Sequence, residues 1–234
     1  MKFIVDKRIF EKFQGVTLGV VITQGVKNTA IAEDIQERIR SEEKRIRENF
    51  SLETLSAHKS IAPWRAAYVV FGAKPKEHRS SVENLYRLVL EGKEVRHINA
   101  LVDSYNLISL KHMLPVGGED LDKVKGDISL TFAGANEPAI LLLGDKEPRA
   151  PHEGEVIYKD DEGAICRRWN WREAERTKLT EQTANAVLVI EAIAPVTKED
   201  LKVALDELTG LMKHHCGGEI IRYMLDEQNG QIEL

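Results

Sequence analysis

Apolar positions change period along the chain. Phe3 to Val5 and Val16 to Ile22 are β-branched runs that predict strands. Between Ala30 and Asn49, Ile31, Ile35, Ile39 and Ile46 recur at near-helical spacing among charged residues, which predicts an amphipathic helix. Pro63-Trp64-Arg65-Ala66-Ala67-Tyr68 follows, and then Gly72-Ala73-Lys74-Pro75-Lys76 as a loop. Ser80 and Glu83 stand at capping-box spacing ahead of a helix that runs to about Glu91 and closes at Gly92. From Asn99 to Leu110 a second helix places Ile98, Leu101, Val102, Tyr105 and Ile108 on an apolar face, with Asn99, Asp103 and Asn106 together on another.

Beyond Pro115-Val116-Gly117-Gly118, read as a loop, the pattern becomes one of strands: Ile128 to Phe132, Ala139 to Leu143, Glu155 to Lys159, Ala164 to Arg168 and Ala186 to Ala192. Asp160 to Gly163 reads as a hairpin loop. Thr197 and Asp200 can cap a helix from about Lys198 to His214, ended by Gly217-Gly218. Glu219 to Leu225 and Gln231 to Leu234 flank Asn229-Gly230, which predicts a hairpin with a type I′ turn. Helices interspersed with hairpins predict an α+β fold with mixed or antiparallel sheets and flanking helices, in a single domain over residues 1–234 without internal repeats.

Charge narrows the choice of partners. Net charge is −5, so bulk attraction to a polyanion is excluded and any such site is local. Between Lys59 and Arg96, eight basic residues face four acidic ones, and Lys74, Lys76 and Arg79 are the candidates for phosphate contact; a solvated loop and helix face is the alternative. Two cysteines exclude a disulfide framework, and no apolar stretch approaches the ~20 residues of a membrane span. A soluble cytosolic protein without membrane contact is the expectation.

No Ser-His-Asp arrangement, phosphate-binding loop, dinucleotide fingerprint or metal signature can be read, and no cofactor is expected. His214-His215-Cys216 reads as a helix C-terminus. Arg167-Arg168-Trp169-Asn170-Trp171-Arg172 interleaves cations with aromatics, a composition suited to stacking on bases, although Trp169 and Trp171 at spacing two also fit one core-facing side of a strand. The Asn99, Asp103, Asn106 face leads into the Gly117-Gly118 segment, where backbone amides can approach a ligand closely.

Asn106, Pro115 and Asp120, within Asn106 to Leu110 and Leu114 to Val124, resemble the B3/B4 editing domain of the phenylalanyl-tRNA synthetase beta subunit, where an Asn, a Pro and an Asp stand at the same ungapped intervals. Thr183 to Ala192 resembles that domain's strand ending in a functional Glu, here Glu191. Pro63-Trp64-Arg65, Ile98 to Asp103, Gly154-Glu155-Val156 and Arg168 to Arg172 resemble free-standing members that lack the synthetase body. The resemblance is strongest over residues 63–192, with extensions at 1–62 and 193–234.

In the synthetase this domain hydrolyses tyrosine mistakenly esterified to phenylalanine tRNA. The resemblance therefore implies a tRNA-binding protein that clears a mischarged aminoacyl ester in trans, with aminoacylated tRNA as partner and the amino-acid moiety as ligand. Asn106, with amides near Gly117 and Gly118, would serve the ester carbonyl. Asn99, Asp103, Tyr105, Pro115, Arg168, Asn170, Arg172 and Glu191 would form the amino-acid pocket, with Asp103 or Glu191 meeting the α-ammonium. Gly117 stands where the synthetases commonly place a His, Tyr105 where a Thr can stand, and Arg168 to Arg172 where an Ala/Gly-rich segment helps form the synthetase pocket. These departures imply a general amino-acid pocket rather than one for tyrosine. The alternatives are a non-catalytic module binding tRNA or an amino acid, and a small-molecule enzyme on the same scaffold.

Overall fold

The computed structural model describes residues 1–29 and 33–234; the expected helical position of Ile31 lies outside them. Ten strands and seven helices follow in the order β1 (Lys2–Val5), α1 (Lys7–Lys12), β2 (Thr17–Gln24), α2 (Glu33–Asn49), α3 (Leu52–Leu55), α4 (Ala62–Val70), α5 (Ser81–Leu90), α6 (Ala100–His112), β3 (Val116–Asp120), β4 (Ile128–Phe132), β5 (Val156–Asp160), β6 (Gly163–Arg167), β7 (Arg172–Glu173), β8 (Ala186–Ala192), α7 (Lys198–His215), β9 (Glu219–Leu225) and β10 (Gln231–Glu233), among the described residues. One sheet has the order β10-β1-β4-β5-β6-β7 and the other β3-β8-β2-β9. Among the described residues only β1 and β4 pair in parallel. The fold is α+β with one mixed and one antiparallel sheet.

Period-2 alternation makes β8 a partition between two cores. Ala186, Leu188, Ile190 and Ala192 pack with residues of α2, α5, α6 and α7, while Val187 and Val189 join a second core that holds Phe3, Ile128, Leu130, Tyr158 and Trp169 of the other sheet. Burial on both faces explains the unbroken apolar runs of β2 and β8.

Local signals set most helix ends. Thr197 and Asp200 form the full capping box of α7. Ser80 caps α5 by accepting from Glu83 N–H, but the other half of that expected box is absent. The Glu83 carboxylate is fully buried and accepts instead from Arg65 Nη1 at 2.8 Å and Arg87 Nε at 2.9 Å, because paired burial is worth more to it than a solvated cap.

Several expectations are corrected by tertiary pairing. The segment after Pro115 is a strand, not a loop, since β3 adds to the edge of β8. Residues 139–143 make only isolated bridges, Ile140 with Arg149 and Leu142 with Ala174. The two tail strands do not form a hairpin: β9 pairs with β2, and β10 with β1 in the other sheet, so residues 226–230 cross between layers. The Asn99, Asp103 stripe is buried, not solvated, because α6 is packed against α2, α5 and α7.

Candidate active site

Between the sheets lies a cavity of about 340 Å³, lined mainly by apolar groups with a few convergent polar ones, a composition typical of small-molecule sites. From β8 come Val187, Val189 and Glu191, alternate residues of one face. Register places Gly117 opposite Val189 and Glu119 opposite Val187, so β3 contributes both to the same wall. The facing sheet supplies Phe3, Ile128, Tyr158, Cys166 and Glu173. Tyr105, Asn106 and Ser109 approach from α6, and Trp169 to Arg172 close the side between β6 and β7.

Three carboxyls thus enter one largely apolar space. Glu191 is 3% exposed and accepts from the Tyr158 hydroxyl and from Asn170 Nδ2. Burial pushes its pKa up to about 7, and those two donors oppose the rise. Burial likewise raises Glu173 to about 7, opposed by the Gly118 N–H that donates to Oε1 at 3.1 Å. Glu119 is pushed well above the ordinary carboxylate range, first by burial and then by Glu173 beside it. Two of these groups can therefore exchange protons close to neutrality.

The turn that closes the cavity is conformationally unusual. Arg168 and Trp169 both have positive φ, 49° and 64°, a region costing roughly 1–3 kcal/mol for each non-glycine residue. Their N–H groups hold it: Arg168 N–H donates to Glu155 Oε1 at 3.1 Å and Trp169 N–H to Val156 O at 2.6 Å. Glu155 is itself clamped by Arg167 at 2.9 and 2.8 Å. The result drives the Trp169 indole into the core against Trp64 and Phe13, with ring centroids 5.2 and 4.8 Å away. The Arg168 and Arg172 guanidiniums both lie over the Trp171 ring, 4.5 and 4.6 Å from its centroid. The two tryptophans therefore occupy a turn with divergent roles, not one face of a strand, and Arg168 is buried.

Of the residues singled out from sequence, Tyr105, Asn106, Gly117, Gly118, Asn170, Arg172 and Glu191 line the cavity. Asn99 does not: it caps α6 by accepting from Val102 N–H at 3.0 Å. Asp103 is engaged elsewhere, with Gln36 Nε2 at 2.6 Å, Ile98 N–H at 3.1 Å and His97, so its oxygens have no place to meet a substrate ammonium. Pro115 contributes its carbonyl, which accepts from Glu191 N–H at 3.0 Å. Gly118 N–H is taken by Glu173 and is not open toward an ester carbonyl.

Lys74 and Lys76 are exposed on the α4–α5 loop, Lys74 beside Glu77 at 3.3 Å. That loop leans on the cavity rim, since His78 packs edge-on against Trp171 at 4.7 Å. Arg79 places its Nε 3.8 Å from the buried Glu83 while its side chain stays 36% exposed, so its charge is shared between Glu83 and the surface. Glu119 and Glu173 were not anticipated. Glu119 follows Gly117 by two residues and shares its face once the segment is a strand, while Glu173 is delivered by its pairing with Cys166.

Comparison with known proteins identifies the family. Residues 63–217, more than half of the chain, match the B3/4 domain family. The chain belongs to that family. Among curated relatives, this chain is 38% identical over 79 residues to the phenylalanine–tRNA ligase beta subunit of Leifsonia xyli subsp. xyli and 36% identical over 69 residues to that of Fusobacterium nucleatum subsp. nucleatum. These matches cover 34% and 30% of the chain but only 9% and 8% of the relatives. An N-terminal fragment of the phenylalanyl-tRNA synthetase beta subunit from Pyrococcus horikoshii aligns with 96% of this chain and 54% of its own, at TM-score 0.46 and 14% identity. Phe3, from β1 outside the B3/4 match, also lines the cavity. No helix among the described residues is long and apolar enough to cross a membrane.

Proposed function

We propose that this B3/4 protein binds aminoacylated tRNA and hydrolyses a mischarged aminoacyl ester without a synthetase body. The observation that carries the reading is the inter-sheet cavity, in which Asn106, Asn170 and Glu191 converge on a space of about 340 Å³ walled by aromatic rings. Such a volume accommodates an amino-acid side chain, with Glu191, Tyr158 and Asn170 as its polar end. Asn106 on α6 is the amide available to polarise the ester carbonyl.

A covalent intermediate is not favoured by the residues present. Cys166 lines the cavity, but burial pushes its thiol well above its ordinary pKa, away from the nucleophilic thiolate. Ser109 donates its hydroxyl to Leu114 O at 2.7 Å; the Ser81 hydroxyl is unpaired, but no His among the described residues lines the cavity to take its proton. Direct attack by a positioned water on an already activated ester is the chemistry that remains, with proximity and preorganised donors supplying the acceleration. The tRNA would meet Lys74 and Lys76 beside the rim.

The test is a deacylation survey of purified protein against correctly and incorrectly charged tRNAs, with tRNA binding measured at several salt concentrations. Hydrolysis of one mischarged species and not its correct counterpart is expected, with binding that weakens as salt rises. Lys74→Glu with Lys76→Glu should weaken tRNA binding; parental binding and deacylation by that pair would remove the phosphate track. A binding module is favoured by one observation, the occupation of Gly118 N–H by Glu173, and tight tRNA binding with no hydrolysis of any species would establish it instead.

A further inference from the structure

Most buried carboxylates of this chain have been answered by a basic side chain. Among the described residues, Glu43 sits with Arg40, Glu83 with Arg65, Asp103 with His97, Asp120 with Lys123, Glu155 with Arg167 and Asp160 with Arg176. The cavity is where that pattern breaks. Glu191 has only neutral donors. Glu119 lines the cavity and is 7% exposed; its Oε2 is buried without a hydrogen bond of good geometry, and the Thr177 hydroxyl beside it is likewise unpaired. Glu173 lies beside it without a cation, its single hydrogen bond being the one from Gly118 N–H.

The local backbone is built to let this happen. A Cβ at position 117 would stand 2.6 Å from Glu173 Oε1, so glycine there is what admits the second carboxyl next to the first. Tyr105 borders the same end; burial, and then the nearness of Glu173 and Glu119, hold its phenol well above its ordinary range. Two carboxyls with an uncommitted acceptor, beside aromatic rings and in no ion pair with the protein's own cations, form an environment that a small cation with several N–H donors satisfies.

We propose that Glu119 and Glu173 form a subsite for a primary ammonium group carried by the ligand. The inference rests on the deacylase reading only in naming an aminoacyl group as the carrier. That group has two sources of ammonium, its α-amino group and a basic side chain, and both present the same chemistry. The subsite takes the role that Asp103, engaged by Gln36 and Ile98, does not fill. Empty, the pair holds protons near neutrality, so a cation entering it expels one; Glu191, Tyr105, Tyr158 and Cys166 line the same cavity, and Arg176 lies within electrostatic reach of Glu119.

Calorimetric titration of the intact protein with phenylalaninamide and with N-acetylphenylalaninamide isolates the α-ammonium. Nα-acetyllysinamide against its Nε-acetylated form isolates the side-chain ammonium. At least one amine should bind about tenfold or more tightly than its acetylated partner, the lower end for a hydrogen bond between charged groups. Whichever pair shows the difference names the source. Titration near neutral pH in two buffers of different ionisation enthalpy should report proton release, and Glu119→Gln with Glu173→Gln should abolish both the release and the preference while Glu191 and the tyrosines remain.

Equal affinity within both pairs, or none for any of the four at millimolar concentration, overturns the subsite in the parent protein alone, whatever the variants do. A preference that survives the double substitution overturns it as well. Hydrolysis of charged tRNA at equal rates with and without acetylation of the ammonium that calorimetry identifies overturns the subsite and leaves the deacylase. Amine selectivity without hydrolysis of any charged tRNA overturns the deacylase and leaves the subsite.

Discussion

Glu191→Gln should stabilise the protein in alkaline solution and not in acid. The carboxyl is 3% exposed, faces no cation, and titrates in the folded state at about 7 against 4.5 in its ordinary setting. The folded chain therefore retains a proton that the unfolded chain releases. Stability from this group is full below the unfolded value and falls as pH rises through the folded one, by about 3 kcal/mol at about 1.4 kcal/mol per unit. Glutamine does not titrate, so it removes that loss. It has one oxygen where Glu191 has two, and these accept from different donors, Tyr158 and Asn170; one imperfect hydrogen bond costs roughly 1 kcal/mol at every pH. The balance is a destabilisation of about 1 kcal/mol near pH 4, close to zero near pH 5, that becomes a stabilisation of about 2 kcal/mol near pH 8, or some 4–8 °C in Tm for a chain of this size; the two pH values to compare are 4 and 8. Urea unfolding of parent and variant at the two pH values measures it directly. Equal destabilisation at both would refute the reasoning, since it would mean that Glu191 is no more costly to ionise in the fold than in the unfolded chain.

Gly117→Ala should force Glu173 off the Gly118 amide, costing about 1–3 kcal/mol in urea unfolding, and Gly117→Ala in a Glu173→Ala background should cost much less. Glu83→Ala leaves Arg65 and Arg87 around an empty centre and should destabilise by about 3–5 kcal/mol, a loss that thermal unfolding will report. Asn106→Ala should lower the deacylation rate by roughly 10² or more while moving stability by less than ~1 kcal/mol, because Asn106 lines the cavity and is only partly buried. Trp169→Ala should cost about 3–5 kcal/mol in urea unfolding through the void left against Trp64 and Phe13.

Much of this architecture is legible along the chain because it is set by local physics. The runs Val16 to Ile22 and Ala186 to Ala192 are apolar on both faces and can only be buried strands, and Thr197 with Asp200 starts α7 wherever that helix goes. Asn106 and Glu191 could be nominated because they stand in a polar-bearing helix and at the end of an apolar strand, and the B3/4 resemblance marked both. The partners of each element were not legible. A tail of two strands about a turn-forming Asn-Gly reads as a hairpin, yet β9 pairs with β2 and β10 with β1 in different sheets. Arg79 reads as a surface cation until the buried Glu83 is known to lie beside it.

What the sequence by itself determined is most of the longer elements and several of their caps, since periodicity, caps and turn residues act over a few neighbouring positions. Only the tertiary structure decided that a Gly-Gly segment is an edge strand, that Glu119 and Glu173 meet across β3 and β7, and that they do so without a cation. Carboxyl groups more than fifty residues apart carry no mutual signal in the chain. Their pKa values, and with them the chemistry open to the cavity, come from burial and from each other, and both exist only once the sheets have closed.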